Sequence, residues 1–279
     1  MKLRQHALAS ASIVFIVVQL SFWCLLLTPI TLLRLAIPRA GRSCHYISVS
    51  IYRSAVRANT WWLQNVIGVA WNCPSLPLDR DSSAVVICNH RSWCDVLLAQ
   101  DILTNQGPIV KFLAKRELAF VPILGLIIFA FNFPLLKRRT KPGVSDATRR
   151  TADQARVTRA ALQLLHEPAA ILIFVEGTRY TDEKNRASGQ DFLALLPPRV
   201  GGFAAVVAVL RESEARVIDV TLHFNPHVSF WQFIGGVHTK ILIEAQSYAI
   251  AEIPRDITAW LQERWRLKDA ALTKNQGAH

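Results

Sequence analysis

The stretch Val85-Val-Ile-Cys-Asn-His-Arg-Ser-Trp-Cys-Asp95 decides the fold, because an apolar run stops abruptly there at Asn89-His90. A second run, Ala170-Ile-Leu-Ile-Phe-Val175, stops in the same way at Glu176-Gly177-Thr178-Arg179. Short apolar runs that end in polar clusters are typical of buried parallel strands. In open α/β sheets, ligands bind just beyond the carboxyl ends of such strands. The two clusters therefore predict one site, with a histidine and a carboxylate from the first cluster and an arginine from the second.

Strand-like and helix-like segments alternate along the rest of the chain. This alternation predicts an α/β fold with a mixed, mostly parallel sheet flanked by helices. The apolar run 118–136 is interrupted by prolines and a glycine, which favours a helix followed by a strand over a second membrane span. We predict strands near 83–88, 108–114, 132–136, 170–175, 216–223 and 239–246, and helices at 92–104, 116–130, 146–166, 201–211 and 255–270.

The N-terminal segment is predicted to be a membrane anchor. Residues 7–33 carry no charge, and as one helix they would reach roughly 40 Å, more than the ~30 Å hydrocarbon core of a bilayer. Basic residues lie on both sides and Pro29 lies inside, so two topologies stay open: one tilted spanning helix, or a re-entrant helical hairpin. A cleaved signal peptide is disfavoured by the length of the apolar part.

The segments divide the chain of 279 residues into four parts. Residues 1–40 are the expected anchor. Residues 41–75 form an amphipathic connecting helix, whose Arg53, Arg57 and Trp61-Trp62 suit either a membrane interface or ordinary packing against the domain. Residues 76–270 form the α/β domain, and residues 271–279 a polar tail.

The net charge indicates which classes of partner the protein binds, and the cysteine content indicates the redox state of its compartment. The formal net charge of +12 indicates a polyanionic partner, namely nucleic acid, an anionic membrane or a phosphorylated substrate. The five cysteines form no Cys-x-x-Cys pair and are odd in number, which favours a reducing compartment over a disulfide framework.

His90 and Asp95 admit two interpretations. If the helix begins at Ser92, Asp95 can accept from one ring nitrogen of His90, fix its tautomer and leave the other nitrogen as a base. Alternatively, Ser92-x-x-Asp95 is a capping box and Asp95 only satisfies a backbone N–H group. A zinc site is disfavoured because no matching Cys or His pair follows, and a cysteine nucleophile is disfavoured because Cys88 lies on a presumed buried strand.

The second cluster suggests an anion site. A guanidinium binds phosphate through two hydrogen bonds, so Arg179 is a candidate phosphate ligand, and Arg138 is a second one just past another apolar strand. The alternatives are a solvated turn for Arg179 and a plain basic loop for Arg138. The sequence has no Walker A motif and no Gly-x-Gly-x-x-Gly, so nucleotide hydrolysis and dinucleotide chemistry are poorly supported.

Together, Asn89-His90-x4-Asp95 and, about 80 residues later, Phe174-Val175-Glu176-Gly177-Thr178-Arg179 resemble the glycerolipid acyltransferases. That family includes 1-acylglycerol-3-phosphate and lysophospholipid acyltransferases, and the resemblance covers roughly residues 80–268. Further motifs are similar to its lysocardiolipin-type branch and to bacterial inner-membrane members of the YihG type. They are Glu117-Leu118-x3-Pro122-x2-Gly125, Lys137-Arg138, Leu196-Pro-Pro-Arg199, Gly201-Gly202-Phe203, Val217-x-Asp219-Val-Thr221 and Trp260-Leu-Gln-Glu-Arg-Trp265.

The resemblance implies roles for individual residues. His90 would be the general base and Asp95 its orienting partner. The glycerol-phosphate portion of the acceptor would be bound by Arg138, Glu176, Gly177, Thr178 and Arg179. Lys137 stands where many relatives carry an acid, and the proline-rich strand of many relatives is missing, which puts the identity of the acceptor in doubt more than the reaction.

We therefore expect a membrane-bound O-acyltransferase whose active domain faces the cytoplasm, at the inner membrane if the source is bacterial. It would move a fatty acyl group from acyl-CoA or acyl carrier protein to a lysophospholipid, with 1-acyl-sn-glycerol 3-phosphate as the leading acceptor and phosphatidic acid as the product. No metal, resident cofactor or nucleic-acid partner is expected. The alternatives are another lysophospholipid or a lyso-amino-lipid as acceptor, or a basic, membrane-tethered protein that binds polyanions on a disused catalytic fold.

Overall fold

The computed structural model describes residues 1–136 and 146–276. The helices are α1 Leu3–Ala36, α2 Gly41–Trp61, α3 Cys94–Gln106, α4 Pro122–Ala130, α5 Asp146–Gln163, α6 Asp182–Ser188, α7 Val200–Leu210, α8 Phe230–Ile234 and α9 Ile257–Gln276. The strands are β1 Ala84–Cys88, β2 Val110–Phe112, β3 Ala114–Lys115, β4 Leu135–Leu136, β5 Ala170–Phe174, β6 Arg216–Asn225 and β7 Lys240–Ala249.

Five strands form the main sheet, in the order β2-β5-β1-β6-β7. Strands β2, β5, β1 and β6 are parallel, and β7 pairs with β6 in the antiparallel sense. The prediction of a mixed, mostly parallel sheet is confirmed. Because β1 and β5 are neighbours, with Cys88 paired to Phe174, their carboxyl ends bring the two polar clusters to the same edge of the sheet.

Helices cover both faces of this sheet, as the unbroken apolar runs of β1 and β5 require. All five residues of β1 are buried, and their side chains alternate between two cores. Val85 and Ile87 pack with residues of α5, α7 and α9, whereas Val86 and Cys88 pack with residues of α3 and α8. The first residues after β1 and β5 are thus held between two packed layers.

Helix α1 is continuous through Pro29 and is followed by α2, which packs against it. Its 34 residues correspond to roughly 50 Å. Among the described residues, it is the helix that is long and apolar enough to cross a membrane. The expected connecting helix at 41–75 is shorter than predicted, because α2 passes into a π-helical turn, Trp62–Ile67, that ends at Gly68.

Contacts with the α/β domain occur along the whole of α1. Near its start, the indole Nε1 of Trp231 donates to His6 Nδ1 over 3.1 Å. Near its end, the Arg34 guanidinium lies 3.1 Å from the Glu167 carboxylate. Between them, the Ser12 hydroxyl donates to the Ile234 carbonyl over 2.9 Å. Both ends of α1 therefore lie against the same domain.

Three local predictions need correction. The helix expected at 92–104 begins at Cys94, with Trp93 rather than Ser92 as its N-cap. The helix expected at 116–130 divides at Val121, whose extended backbone separates a 3₁₀ turn from α4; Pro122 imposes that conformation on the preceding residue. The short helices α6 and α8 were not predicted, because segments of seven and five residues are too short to show a period.

Candidate active site

His90 and Asp95 meet at the carboxyl end of β1. His90 lies in the loop after the strand, and Asp95 lies in the first turn of α3. The ring nitrogen Nδ1 of His90 is 3.0 Å from Oδ2 of Asp95. An ionised carboxylate only accepts, so this contact places the proton of a neutral ring on Nδ1 and leaves Nε2 as the basic nitrogen.

Asp95 also holds the loop that carries His90. Its Oδ2 accepts the backbone N–H groups of Arg91, over 2.6 Å, and of Ser92, over 2.8 Å. The carboxylate itself is buried. The two interpretations of Asp95 are therefore compatible, because one oxygen caps the turn and orients the histidine at once.

The imidazole ring of His90 is fixed on one face by an aromatic neighbour. The ring of Phe174, the last residue of β5, stacks on it with centroids 3.9 Å apart and planes 16° apart. The side chain of His90 keeps an exposed fraction of 15%. The imidazole is thus held by Asp95 and Phe174 while one edge stays open.

The end of β5 forms a tight turn beside His90. Gly177 has φ 72°, in the left-handed region that favours glycine, and its N–H donates to the Phe174 carbonyl over 2.8 Å. Two residues beyond the turn, Arg179 is exposed and its guanidinium lies 5.5 Å from the ring centroid of Trp93. The N–H of Tyr180 donates to the His90 carbonyl over 2.7 Å. The histidine and arginine clusters therefore form one loop assembly.

Thr178 has a partner on α6. Its hydroxyl accepts from the Lys184 ammonium over 2.9 Å, and the same ammonium donates to the Arg179 carbonyl over 2.9 Å. Lys184 is exposed and adds a second positive charge beside Arg179. The mouth of the site is cationic, as an anionic ligand requires.

Glu176 points inward rather than to the mouth. It is 1% exposed, and its two oxygens accept from the His90 N–H over 2.7 Å and from the Leu196 N–H over 2.9 Å. Burial raises the pKa of this carboxyl to about 8. Its role toward an acceptor stays a prediction; the described contacts make it a brace between the histidine loop and the segment before α7.

Arg138, the other predicted phosphate ligand, lies outside the described residues. Leu136, two residues before it in the chain, is the last residue of β4, which pairs with β3.

An acyltransferase family model matches residues 73–224, which include β1, β5, β6 and the loop assembly around His90. The chain belongs to the acyltransferase family.

Several relatives of this chain are 1-acyl-sn-glycerol-3-phosphate acyltransferases. The mouse delta enzyme is 27% identical over 247 residues, which are 82% of this chain and 62% of that protein. The human gamma enzyme is 28% identical over 254 residues, covering 80% and 65%. An Arabidopsis thaliana enzyme, number 3, is 27% identical over 234 residues, covering 77% and 59%. The chain thus spans about 60% of the length of the curated relatives that it matches.

A solved structure shares the fold. The crystal structure of the 1-acyl-sn-glycerophosphate (LPA) acyltransferase PlsC from Thermotoga maritima superposes with a TM-score of 0.57 at 16% identity. The match covers 100% of this chain and 99% of that one. The predicted glycerolipid acyltransferase fold is confirmed, including the long N-terminal apolar helix.

The structure gives little support to a cysteine nucleophile. Burial raises the pKa of Cys94 to about 12 and that of Cys88 well above its usual range. Both thiols therefore stay protonated and are poor nucleophiles. In the described part of the chain, no three His, Cys, Asp or Glu side chains are grouped closely enough to hold a metal ion.

Sequence reasoning missed three residues of the site. The amide side chain of Asn89 bridges β1 to β6, since it donates to the Leu222 carbonyl over 3.0 Å and accepts from the Leu222 N–H over 2.9 Å. Trp93 and Lys184 flank Arg179. Asn89 and Trp93 lie inside the quoted motif and could have been considered with it, whereas Lys184 approaches only because α6 folds back.

Proposed function

We propose that this chain transfers a fatty acyl group from acyl-CoA or acyl carrier protein to the free hydroxyl of a lysophospholipid, with 1-acyl-sn-glycerol 3-phosphate as acceptor and phosphatidic acid as product. The observation that carries the proposal is the His90–Asp95 pair, held at the open sheet edge beside Arg179, in a chain of the acyltransferase family. The names of the relatives support the acceptor class.

In the proposed reaction, Nε2 of His90 takes the proton of the acceptor hydroxyl as its oxygen attacks the thioester carbonyl. The tetrahedral intermediate then collapses, the C–S bond breaks, and the departing sulfur takes the proton back from His90. Asp95 stabilises the imidazolium formed in between. The N–H groups of Arg91 and Ser92 already donate to Asp95, so the oxyanion needs other donors.

Arg179 would bind the phosphate of the acceptor. Its guanidinium is exposed beside the histidine loop, and Trp93 supports it from one side. A guanidinium that lies over an aromatic ring keeps its in-plane N–H groups available for two hydrogen bonds to phosphate. We assign Arg138 to the same phosphate on the sequence pattern alone. We likewise assign the chain to the lysocardiolipin-type, YihG-type branch on its sequence motifs alone.

The inverted polarity of α1 supports attachment to a membrane. Its buried face carries the polar residues Ser12, Gln19 and Thr31, whereas Val18 is 62% and Leu25 is 71% exposed. A helix that buries polar groups and exposes aliphatic ones suits a lipid environment. Because both ends of α1 contact the α/β domain, we place α1 along the membrane surface, with its aliphatic face in the lipid, rather than across the bilayer.

The proposal is tested by acyl transfer with purified protein in lipid nanodiscs. Oleoyl-CoA or oleoyl acyl carrier protein is offered with a panel of lysophospholipids, and thiol release and ester product are followed by mass spectrometry. We expect phosphatidic acid from lysophosphatidic acid, and its loss in His90→Ala. His238→Ala, at an exposed histidine outside the loop assembly around His90, is the matched control. Product from a different acceptor alone would refute the assigned substrate; no product with either donor would refute acyl transfer and favour the polyanion-binding alternative.

A further inference from the structure

A second cationic site lies at the other end of the sheet. A cavity of about 750 Å³ opens between the end of α1, the start of α2 and the loops that enter β2 and β5. Ile109 and Pro168, just before β2 and β5, line it, whereas His90 follows the carboxyl end of β1. The parallel strands therefore separate this cavity from the candidate active site. We call it the basal cavity; its arginines are Arg34, Arg42, Arg53, Arg57 and Arg80.

Positive charge in the basal cavity is not balanced by its own carboxylates. The five arginines face two acids, Asp81 and Glu167. The Arg34 guanidinium forms an ion pair with the Glu167 carboxylate over 3.1 Å. For Arg42, Arg57 and Arg80, no ion pair is formed with any residue of the described ranges 1–136 and 146–276.

One of these arginines is held rigidly. The guanidinium of Arg53 donates to the carbonyls of Thr104 and Gly107, at the end of α3, the latter over 2.8 Å. Burial, followed by the nearby charges of Arg80 and Arg57, lowers the pKa of Arg53. Guanidiniums that repel one another inside a concave site are stabilised by a shared anion, and phosphate matches their hydrogen-bond geometry.

Exposed apolar side chains lie close in the chain to the arginines of the basal cavity. Leu32 and Leu35 on α1 are 60% and 62% exposed, and Tyr46 on α2 is 65% exposed. Aliphatic side chains that flank arginines are typical of a surface lying in the lipid headgroup region, where the chains enter the acyl layer and the cations meet phosphates. This setting favours a phosphate that belongs to a lipid over one in solution.

We propose that the basal cavity binds the phosphate-bearing headgroup of an anionic phospholipid in the membrane surface. The inference rests on the proposed placement of α1 along the membrane and goes beyond the proposed reaction, since this lipid is neither acceptor nor product at His90. The headgroup would hold the end of α1 that lies farthest from Trp231, so that the two ends of the helix are fixed at one membrane face.

The test is the association of the full-length protein with vesicles of phosphatidylcholine, with or without phosphatidylglycerol, measured by flotation at constant ionic strength. The variant carries Arg42→Gln, Arg57→Gln and Arg80→Gln, three exposed positions outside the catalytic machinery. The control removes as much charge elsewhere, with Arg255→Gln, Arg266→Gln and Lys274→Gln. Thermal denaturation verifies that both variants fold.

We expect phosphatidylglycerol to strengthen the binding of wild type and control, and the cavity variant to lose that gain, on the order of 100-fold for three interfacial arginines. Equal losses in the two variants would overturn the proposal, because the effect would then be general electrostatics. Stabilisation of the detergent-solubilised protein by inorganic phosphate, with no gain of wild-type binding from phosphatidylglycerol, would overturn the lipid source. Vesicle binding needs no turnover, so its failure is distinct from a failure of acyl transfer.

Discussion

The two ends of the sheet use ionisable side chains in opposite ways. At the carboxyl end, Asp95 and Glu176 are buried and each binds backbone N–H groups as well as shaping the setting of His90. At the other end, Arg42, Arg57 and Arg80 are exposed around a cavity and form no ion pair among the described residues.

The carboxyl groups at one end hold His90 in position, whereas the arginines at the other end attract anions. Carboxyl groups that already bind the backbone cannot move toward a ligand, but they hold His90 in one geometry, as the proposed proton transfer requires. Unpaired guanidiniums hold nothing in place and instead draw anions to a surface. Under the two proposals, one domain would combine a rigid reaction site with an electrostatic contact at the opposite end of its sheet.

Asp95→Asn tests the positioning of His90 and should have the largest effect of the three substitutions. The amide cannot both accept from the ring and replace the carboxylate charge, so His90 loses its tautomer control and the imidazolium loses its partner. We expect kcat to fall on the order of 1,000-fold with KM little changed. Asp101→Asn is the control, since Asp101 lies on the same helix and bonds Thr60, Trp71 and Asn105 instead. Similar losses in kcat for both variants would contradict the role of Asp95.

Gly177→Ala tests the turn that joins the two clusters. A Cβ at Gly177 would lie 2.9 Å from Cδ of Arg199, and φ is 72°. We expect a loss of about 2 kcal/mol in the free energy of unfolding, measured by denaturant titration. Gly189→Ala has a similar φ of 63° but meets no atom within 4 Å, so it isolates the backbone cost. Equal losses in the two variants would show that Arg199 does not press on this turn.

Glu176 gives the smallest effect, in the pH dependence of stability. Because its pKa is raised from 4.5 to about 8 on folding, the protonated form is favoured in the folded state. The resulting contribution of Glu176 to the free energy of unfolding is fully present below about pH 4.5 and is lost as the pH rises through about 8. Between about pH 7 and pH 8.5, the free energy of unfolding of the wild type should fall by about 1 kcal/mol because Glu176 loses its proton. This decrease should be absent in Glu176→Gln, which has no carboxyl group to titrate. Parallel curves for the two proteins would contradict the raised pKa.

Local patterning was sufficient for the sheet, and for the meeting of His90 with Asp95. Apolar runs with polar ends give β1 and β5 directly, and parallel strands place their ends at one edge. The direction of Glu176 could not be obtained in this way, since its partner Leu196 lies 20 residues further along the chain. The continuity of α1 through Pro29 and the assembly of the basal cavity likewise depend on tertiary contacts, such as the one between Arg34 and Glu167.

The central claim is that His90 performs the chemistry while the basal cavity only recruits the membrane surface. The most direct measurement is steady-state acylation of lysophosphatidic acid in detergent micelles and in anionic vesicles, for His90→Ala and for the variant with Arg42, Arg57 and Arg80 changed to Gln. We predict that His90→Ala is inactive in both settings and that the cavity variant keeps its kcat in micelles but loses activity on vesicles. Turnover by His90→Ala, or equal loss by the cavity variant in micelles, would contradict the account.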